Sequence, residues 1–212
     1  MARSAYHVVL ASASPARLET LRRAGLDPEV VVSSVDEAEL DVPDAKVLVR
    51  DLAAAKCREV AARLAPSTPT IVVGCDSVLD LDGVALGRPR DADDARERWQ
   101  RLRGRSAVLV TGHCIRLLGA GHGGEPDAER VAVAATTVHF ADLSDTEIEA
   151  YVDTGEPLVV AGAFTIDGLG GAFVTGVEGD PHNVVGISLP LLHDMLGELG
   201  VQWTDLWSPL SS

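Results

Sequence analysis

Short apolar runs alternate with amphipathic stretches through the first half of the chain, and longer half-apolar runs follow one another in the second. Residues 6–11 are a short apolar run that predicts a buried first strand. Ser14 then stands as an N-cap with Pro15 at the first helical position, which predicts a helix to about Ala24, stopped by Gly25. Residues 29–33 predict a second strand, and residues 44–64 a long helix with Leu48, Leu52, Ala55 and Val60 near helical spacing. Residues 70–73 predict a third buried strand that ends in Gly74-Cys75-Asp76-Ser77, and residues 78–86 a small hairpin around Asp82-Gly83. A helix over 91–103 with Gly104 as its stop precedes a strand over 106–118 and a returning strand over 130–140. The intervening 119–129 segment, rich in Gly and charge, reads as an exposed turn rather than a lid. Ser144 and Glu147 form a capping box for a helix over 145–153; residues 172–177 predict a late strand, and 184–199 an apolar turn that becomes a C-terminal helix. Helices and strands alternate early while strands neighbour each other late. The pattern predicts one α/β domain over residues 1–212, with a mixed, twisted sheet flanked by helices.

Composition narrows the function. Aromatics make up only 4% of the 212 residues, which disfavours base stacking on an aromatic platform as the main activity. The net charge of −14 repels nucleic-acid backbones and anionic membranes, so neither stable nucleic-acid binding nor membrane association is expected. The same field repels free nucleotides, so a nucleotide site needs local Arg, Lys or a divalent cation. Cys57, Cys75 and Cys114 form no CxxC pair, and with no signal peptide or long apolar span visible, a reducing cytoplasm fits.

Five sets of residues carry candidate chemistry. Ser12, Ser14 and Arg17 stand where a strand enters a helix, an arrangement that offers an anion backbone N–H groups, hydroxyls and a guanidinium. It also reads as ordinary capping beside a surface arginine. Asp76, after a buried strand, suits a divalent cation or the deprotonation of water, or a simple turn. Asp36-Glu37 reads either as a pair of metal ligands or as a solvated helix start. Lys56 within a helix and Arg88 in Gly87-Arg88-Pro89 are basic candidates, the latter on backbone stiffened by its neighbours. The glycine-rich stretch 161–171 has no GxGxxG opening a helix, no GxxxxGK[ST] occurs, and no HExxH marks a zinc site.

Taken together, these segments resemble the Maf family, also described as septum formation inhibitor-like proteins. The resemblance rests on the order and spacing of Leu-Ala-Ser-Ala-Ser-Pro-Ala-Arg (10–17), Val35-Asp36-Glu37, Ala55-Lys56, Gly74-Cys-Asp-Ser-Val78, Gly87-Arg-Pro89 and Gly104-Arg105 before Val110-Thr-Gly112. It continues through Tyr151, Gly155-Glu-Pro157, Ala161-Gly162, Ile166-Asp-Gly168, Gly179-Asp180 and Asn183-Val-Val-Gly186. It implies a mixed α/β fold with two lobes around a cleft, related to inosine triphosphatases. It further implies metal-dependent hydrolysis of a nucleoside triphosphate between its α- and β-phosphates. On this reading Ser12, Ser14, Arg17 and Arg88 hold phosphates, Lys56 neutralises them, and Glu37 and Asp76 position Mg²⁺ or Mn²⁺ and water, with Asp76 as proton acceptor. Ala16, Ser77 and Asp167 occupy the family's base-selecting positions. The resemblance also implies a role in clearing the nucleotide pool or in cell division, and is compatible with a homodimer. The chain departs from the family pattern at Ala16 (usually Arg), at Arg88 (more often Lys), at Asp167 (Gln or Glu), and in the two extra residues before Pro190. Asp167, an acceptor when ionised, favours a guanine-type base over uracil or thymine. The alternatives are a non-catalytic nucleotide-sensing or division-linked interaction protein, and a phosphohydrolase releasing orthophosphate directly.

Overall fold

The computed structural model describes residues 5–36, 42, 44–119 and 128–207. Its elements are strands β1 (His7–Leu10), β2 (Glu29–Val30), β3 (Thr70–Leu81), β4 (Val84–Leu86), β5 (Ser106–Leu118), β6 (Ala128–Phe140) and β7 (Val174–Glu178). Its helices are α1 (Pro15–Arg23), α2 (Ala45–Arg63), α3 (Ala92–Leu102), α4 (Asp145–Asp153), α5 (Pro181–Val185) and α6 (Leu189–Glu198). The sheet order is β2-β1-β3-β5-β6-β7, with β4 hairpinned onto β3 off this path. β2, β1 and β3 run parallel, and every other pairing is antiparallel. The fold is thus the mixed α/β sheet flanked by helices that the hydrophobic pattern predicts. Strand β5 and helix α4 begin and end where the pattern places them, and α4 carries the Ser144–Glu147 capping box.

Strands β6 and β7 lie within about two residues of their expected bounds, and β2 and β3 differ most. β2 is only two residues long, because β1 turns away into α1 after Leu10 and one further bond, from the Val31 N–H to Leu10 O, closes the pairing. β3 does not stop at Val73 but continues through Gly74-Cys75-Asp76-Ser77 to Leu81, held on one side by an unbroken antiparallel ladder to β5. On its other side β1 pairs only as far as Val73 and β4 only from Leu79. The edge of β3 between them therefore has no strand partner, and it is there that the cleft opens. Near the C-terminus, the expected turn from Val184 starts within the end of the short helix α5, and the chain then passes through Gly186 and Ile187 to α6, with Ser188 as its N-cap.

Side chains alternate across β3, so Val72, Gly74, Asp76 and Val78 face α2 while Val73, Cys75, Ser77 and Leu79 face the opposite layer. Helix α2 lies at backbone contact with the sheet. A Cβ at Gly74 would stand 2.6 Å from Ala53 O, and one at Gly112, the partner of Asp76 on β5, would collide with Val49 O. Only glycine at these two positions lets α2 come close enough to set Lys56 against Asp76. The core around α2 is built of small residues, Ala53, Ala54, Cys57 and Ala61. On the other face Leu10, Leu21, Val73, Ile115, Ile187 and Leu192 pack beneath α1 and α6. At the far end Trp99, Phe140, Tyr151, Phe164 and Phe173 meet edge to face. The three cysteines are buried free thiols; desolvation pushes Cys75 up to about 12, and the neighbouring Cys114 helps raise Cys57. Among the described residues, no helix is long and apolar enough to cross a membrane.

Candidate active site

A cleft of about 410 Å³ lies along the unpaired edge of β3, within the size range of sites for small ligands. Its floor is the pair Lys56 and Asp76, with Nζ 2.6 Å from Oδ1. Both side chains are about nine-tenths buried. An ammonium and a carboxylate with so little solvent need each other, since either alone would carry a large desolvation cost.

One end of the cleft is lined by Ser12, Ser14, Ala16 and Arg17. The Ser14 hydroxyl caps α1 by accepting from the Arg17 N–H at 3.4 Å, and the Ser12 hydroxyl accepts from the Ser14 N–H at 3.2 Å. Pro15 has no N–H, so in the first turn only the Ala16 amide is left for a ligand. Arg17 is likewise largely committed. Its Nε donates to Gly186 O at 2.8 Å, Nη1 to Ser12 Oγ at 3.1 Å and to Cys75 O at 2.9 Å, and Nη2 to Ser77 Oγ at 2.9 Å. One N–H on Nη2 has no partner among the described residues. The guanidinium thus satisfies the Cys75 carbonyl on the bare edge of β3 and ties α1, β3 and the α5 C-terminus together.

Behind Arg17 the polar chain continues through Ser77 Oγ and Thr111 Oγ1, 2.9 Å apart, to Asn183 O at 3.4 Å. His113 supports the same layer: its Nδ1 faces Thr111 O at 3.1 Å and its Nε2 accepts from the Ser188 N–H at 2.8 Å. Burial, reinforced by the Arg17 charge, holds this imidazole down to about 4, so it is neutral with its proton on Nδ1.

The opposite wall comprises the Gly87-Arg88-Pro89 turn and residues 159–167. Arg98 fixes the turn by donating to Gly87 O at 2.6 Å and Arg88 O at 3.4 Å, while its own charge is met by Asp94 at 2.8 Å. The Gly162 N–H also reaches Gly87 O, at 3.0 Å. Arg88 is exposed and makes no side-chain bond among the described residues, so it is a free cation on a pinned backbone. Further along, the Trp99 indole N–H holds Ala163 O at 2.8 Å, and the wall runs through Phe164, Thr165 and Ile166 to the exposed Asp167.

The family model described as "Maf-like protein" matches residues 7–199. The chain belongs to the Maf-like family. A relative from Salinispora tropica bearing the name nucleoside triphosphate pyrophosphatase is 56% identical over 203 residues, covering 95% of this chain and 87% of its own length. Relatives of the same name from Cutibacterium acnes and Streptomyces coelicolor are 52% and 51% identical, and in both comparisons about 94–95% of each chain is covered.

In this Maf-like chain the cleft gathers nine residues expected from the sequence: Ser12, Ser14, Ala16, Arg17, Lys56, Asp76, Ser77, Arg88 and Asp167. Glu37 lies outside the described residues, though Val35 before it lines the cleft. Two readings change. Asp76 lies within a continuous strand rather than after its end, because β5 pairs throughout. The α1 N-terminus and Arg17 offer a ligand fewer donors than their sequence pattern implies, because most of them serve the fold. The sequence alone points to no role for Arg98, Thr111, His113 or Glu156. Arg98 is one of several arginines on an amphipathic helix, and only the fold shows that it grips the Arg88 turn. Glu156 stood in plain view in Gly155-Glu156-Pro157, beside the glycine-rich stretch that it serves.

Proposed function

We propose that this chain is a nucleoside triphosphate pyrophosphatase, hydrolysing its substrate between the α- and β-phosphates to a nucleoside monophosphate and pyrophosphate. The observation that carries the proposal is the buried Lys56–Asp76 pair on the floor of a nucleotide-sized cleft, with the exposed cation Arg88 at its mouth. The names of the relatives support the same chemistry.

The triphosphate lies along the Ser12–Ser14 end and under Arg88, with the α-phosphorus over Asp76. Asp76 accepts a proton from the attacking water, and Lys56 holds that carboxylate in place and offsets charge on the phosphoryl oxygens. Arg17 contributes one remaining N–H and otherwise keeps the edge of β3 in register with α1. The donor chemistry suits Mg²⁺ or Mn²⁺: Asp76 is a hard oxygen ligand, and Mg²⁺ is usually held by one or two carboxylates together with substrate phosphates. Among the described residues no group of three His, Cys, Asp or Glu side chains forms a cage. Asp76 and the substrate phosphates would hold the ion, with Glu37 as the further carboxylate. When bound, the cation supplies Lewis-acid stabilisation of the phosphoryl oxygens. At the base end, the Asp167 carboxylate accepts from N1–H and the exocyclic amine of guanine and is opposed by the carbonyls of uracil and thymine.

The product distinguishes this function from its rivals. Phosphate detected from GTP should depend wholly on added inorganic pyrophosphatase, and EDTA should abolish it without unfolding the protein. Orthophosphate released without the added enzyme would contradict the proposal, as would full activity after exhaustive chelation.

A further inference from the structure

The wall that carries Asp167 has almost no regular structure, yet its backbone is tightly specified. Its organiser is Glu156, which opens a 3-10 turn (Glu156–Val159) directly after α4 and does not itself line the cleft. Its Oε1 accepts from Thr165 Oγ1 at 2.6 Å, Tyr151 OH at 2.8 Å and the Gly170 N–H at 2.9 Å, and its Oε2 accepts from the Leu169 N–H at 2.9 Å. These donors sit on both sides of Asp167, so the loop is wrapped around one carboxylate. We propose that Glu156 is a positioning residue for base selection: from behind the wall it gathers residues 165–170 and thereby sets where Asp167 meets the base. The inference rests on the nucleotide reading of the cleft given above.

Three further observations bear on it. Glycine is required where the loop closes on this group: a Cβ at Gly168 would stand 2.6 Å from Glu156 Oε2, and one at Gly170 would collide with the Tyr151 hydroxyl. Partial burial pushes the Glu156 carboxyl up, but the bonds from Thr165, Leu169, Gly170 and Tyr151 outweigh this and hold it down to about 2. It is therefore an ionised acceptor at any working pH. The far end of the segment is fixed independently, by Trp99 at Ala163 O, so Glu156 and Trp99 bracket the stretch that presents Ile166 and Asp167. Glutamine at 156 keeps the shape but replaces one acceptor oxygen by an NH₂ group. In either amide orientation that group faces a backbone N–H or hydroxyl donor, so at least one loop bond is lost.

The test uses the full chain with Mg²⁺ and compares wild type, Glu156→Gln and Tyr151→Phe. Binding of the α,β-methylene analogues of GTP and UTP is measured by calorimetry, and steady-state kcat and KM by pyrophosphate release. Wild type should prefer the guanine analogue. In Glu156→Gln that preference should fall by about tenfold, the scale of a lost charge-assisted hydrogen bond, with KM for GTP rising and kcat changing by less than about threefold. Tyr151→Phe, which removes one donor and keeps the ring, should move the ratio the same way by a smaller factor, and it decides the matter if Glu156→Gln does not fold. A lowered Tm with an unchanged binding ratio would make Glu156 merely structural and overturn the inference. So would a wild type that releases pyrophosphate without distinguishing the two bases. A wild type that binds neither analogue and releases no pyrophosphate would instead overturn the nucleotide reading itself.

Discussion

The two walls of the cleft are built in opposite ways. The floor and the Ser12–Arg17 end consist of regular elements: β3 and β5 in continuous register, α2 at backbone contact through Gly74 and Gly112, and α1 joined to them by Arg17. The opposite wall, which carries Asp167, is made of short 3-10 turns (Glu156–Val159, Ala161–Ala163 and Leu169–Phe173) joined by irregular chain, and its order comes from side chains reaching the backbone, Trp99 at Ala163 and Glu156 at Leu169 and Gly170. The first design holds charged groups at fixed separation, as chemistry on a phosphoryl group requires. In the second, the exposed Asp167 can be replaced without disturbing the sheet. On the proposed function, cleavage and base choice would then be separable.

The largest effect should come from Asp76→Asn, which keeps the shape of the floor but removes the proposed proton acceptor. Turnover should fall at least about a hundredfold while the protein stays folded. Near-normal turnover in a metal-saturated assay would remove Asp76 from the mechanism. Gly112→Ala tests how the floor is held together. Its new methyl meets main-chain atoms of Val49 and Arg50, which cannot swing aside, so α2 must shift. We expect destabilisation of about 3 kcal/mol, at the upper end of ordinary overpacking, together with loss of activity as Lys56 moves from Asp76. Gly197→Ala, at a helical glycine with open space around it, should instead stabilise by roughly 0.5–1 kcal/mol. Equal stability of wild type and Gly112→Ala in urea would show that the close approach of α2 is not required.

Acid should weaken the layer behind Arg17 before it touches the wall that carries Asp167. His113 is held down to about 4, mainly by burial, whereas the unfolded chain protonates near 6.5. The unfolded state therefore takes up the proton first as pH falls, and stability is lost from about pH 6.5 down towards 4. Between pH 7 and 5 the loss from this group should be about 2 kcal/mol. Glu156, held down to about 2, contributes stability that is present above its ordinary range near 4.5 and fades only as pH falls towards 2. Urea melts of wild type and His113→Gln at pH 7 and 5 check the first window; the same slope in both would exclude His113 as its source.

What the sequence revealed follows the same division. Elements with local signals were legible to the residue, as in β5 and α4. β3 runs past Val73, where the sequence predicts its end because Gly74, Asp76 and Ser77 imitate a turn. In the fold each breaks the strand pattern for a separate reason: Gly74 admits α2, Asp76 pairs with Lys56, and Ser77 anchors Arg17. Local rules fail where the site is built. The wall that carries Asp167 reads in the sequence only as glycine-rich, since nothing near Glu156 shows that its partners are the amides of Leu169 and Gly170. Arg17 was visible as a cation, but its bonds to Cys75 O and Gly186 O belong to contacts 58 and 169 residues away along the chain.

The division of labour is tested most directly by kcat/KM for GTP and UTP, measured by pyrophosphate release in wild type, Asp76→Asn and Asp167→Gln. Asp76→Asn should lower both values by the same large factor and leave their ratio unchanged. Asp167→Gln should keep kcat for GTP within about threefold and move the ratio about tenfold towards UTP, as expected when one base-reading hydrogen bond is exchanged. A wild-type preference for UTP, a ratio unmoved by Asp167→Gln, or a ratio shifted by Asp76→Asn would contradict the account.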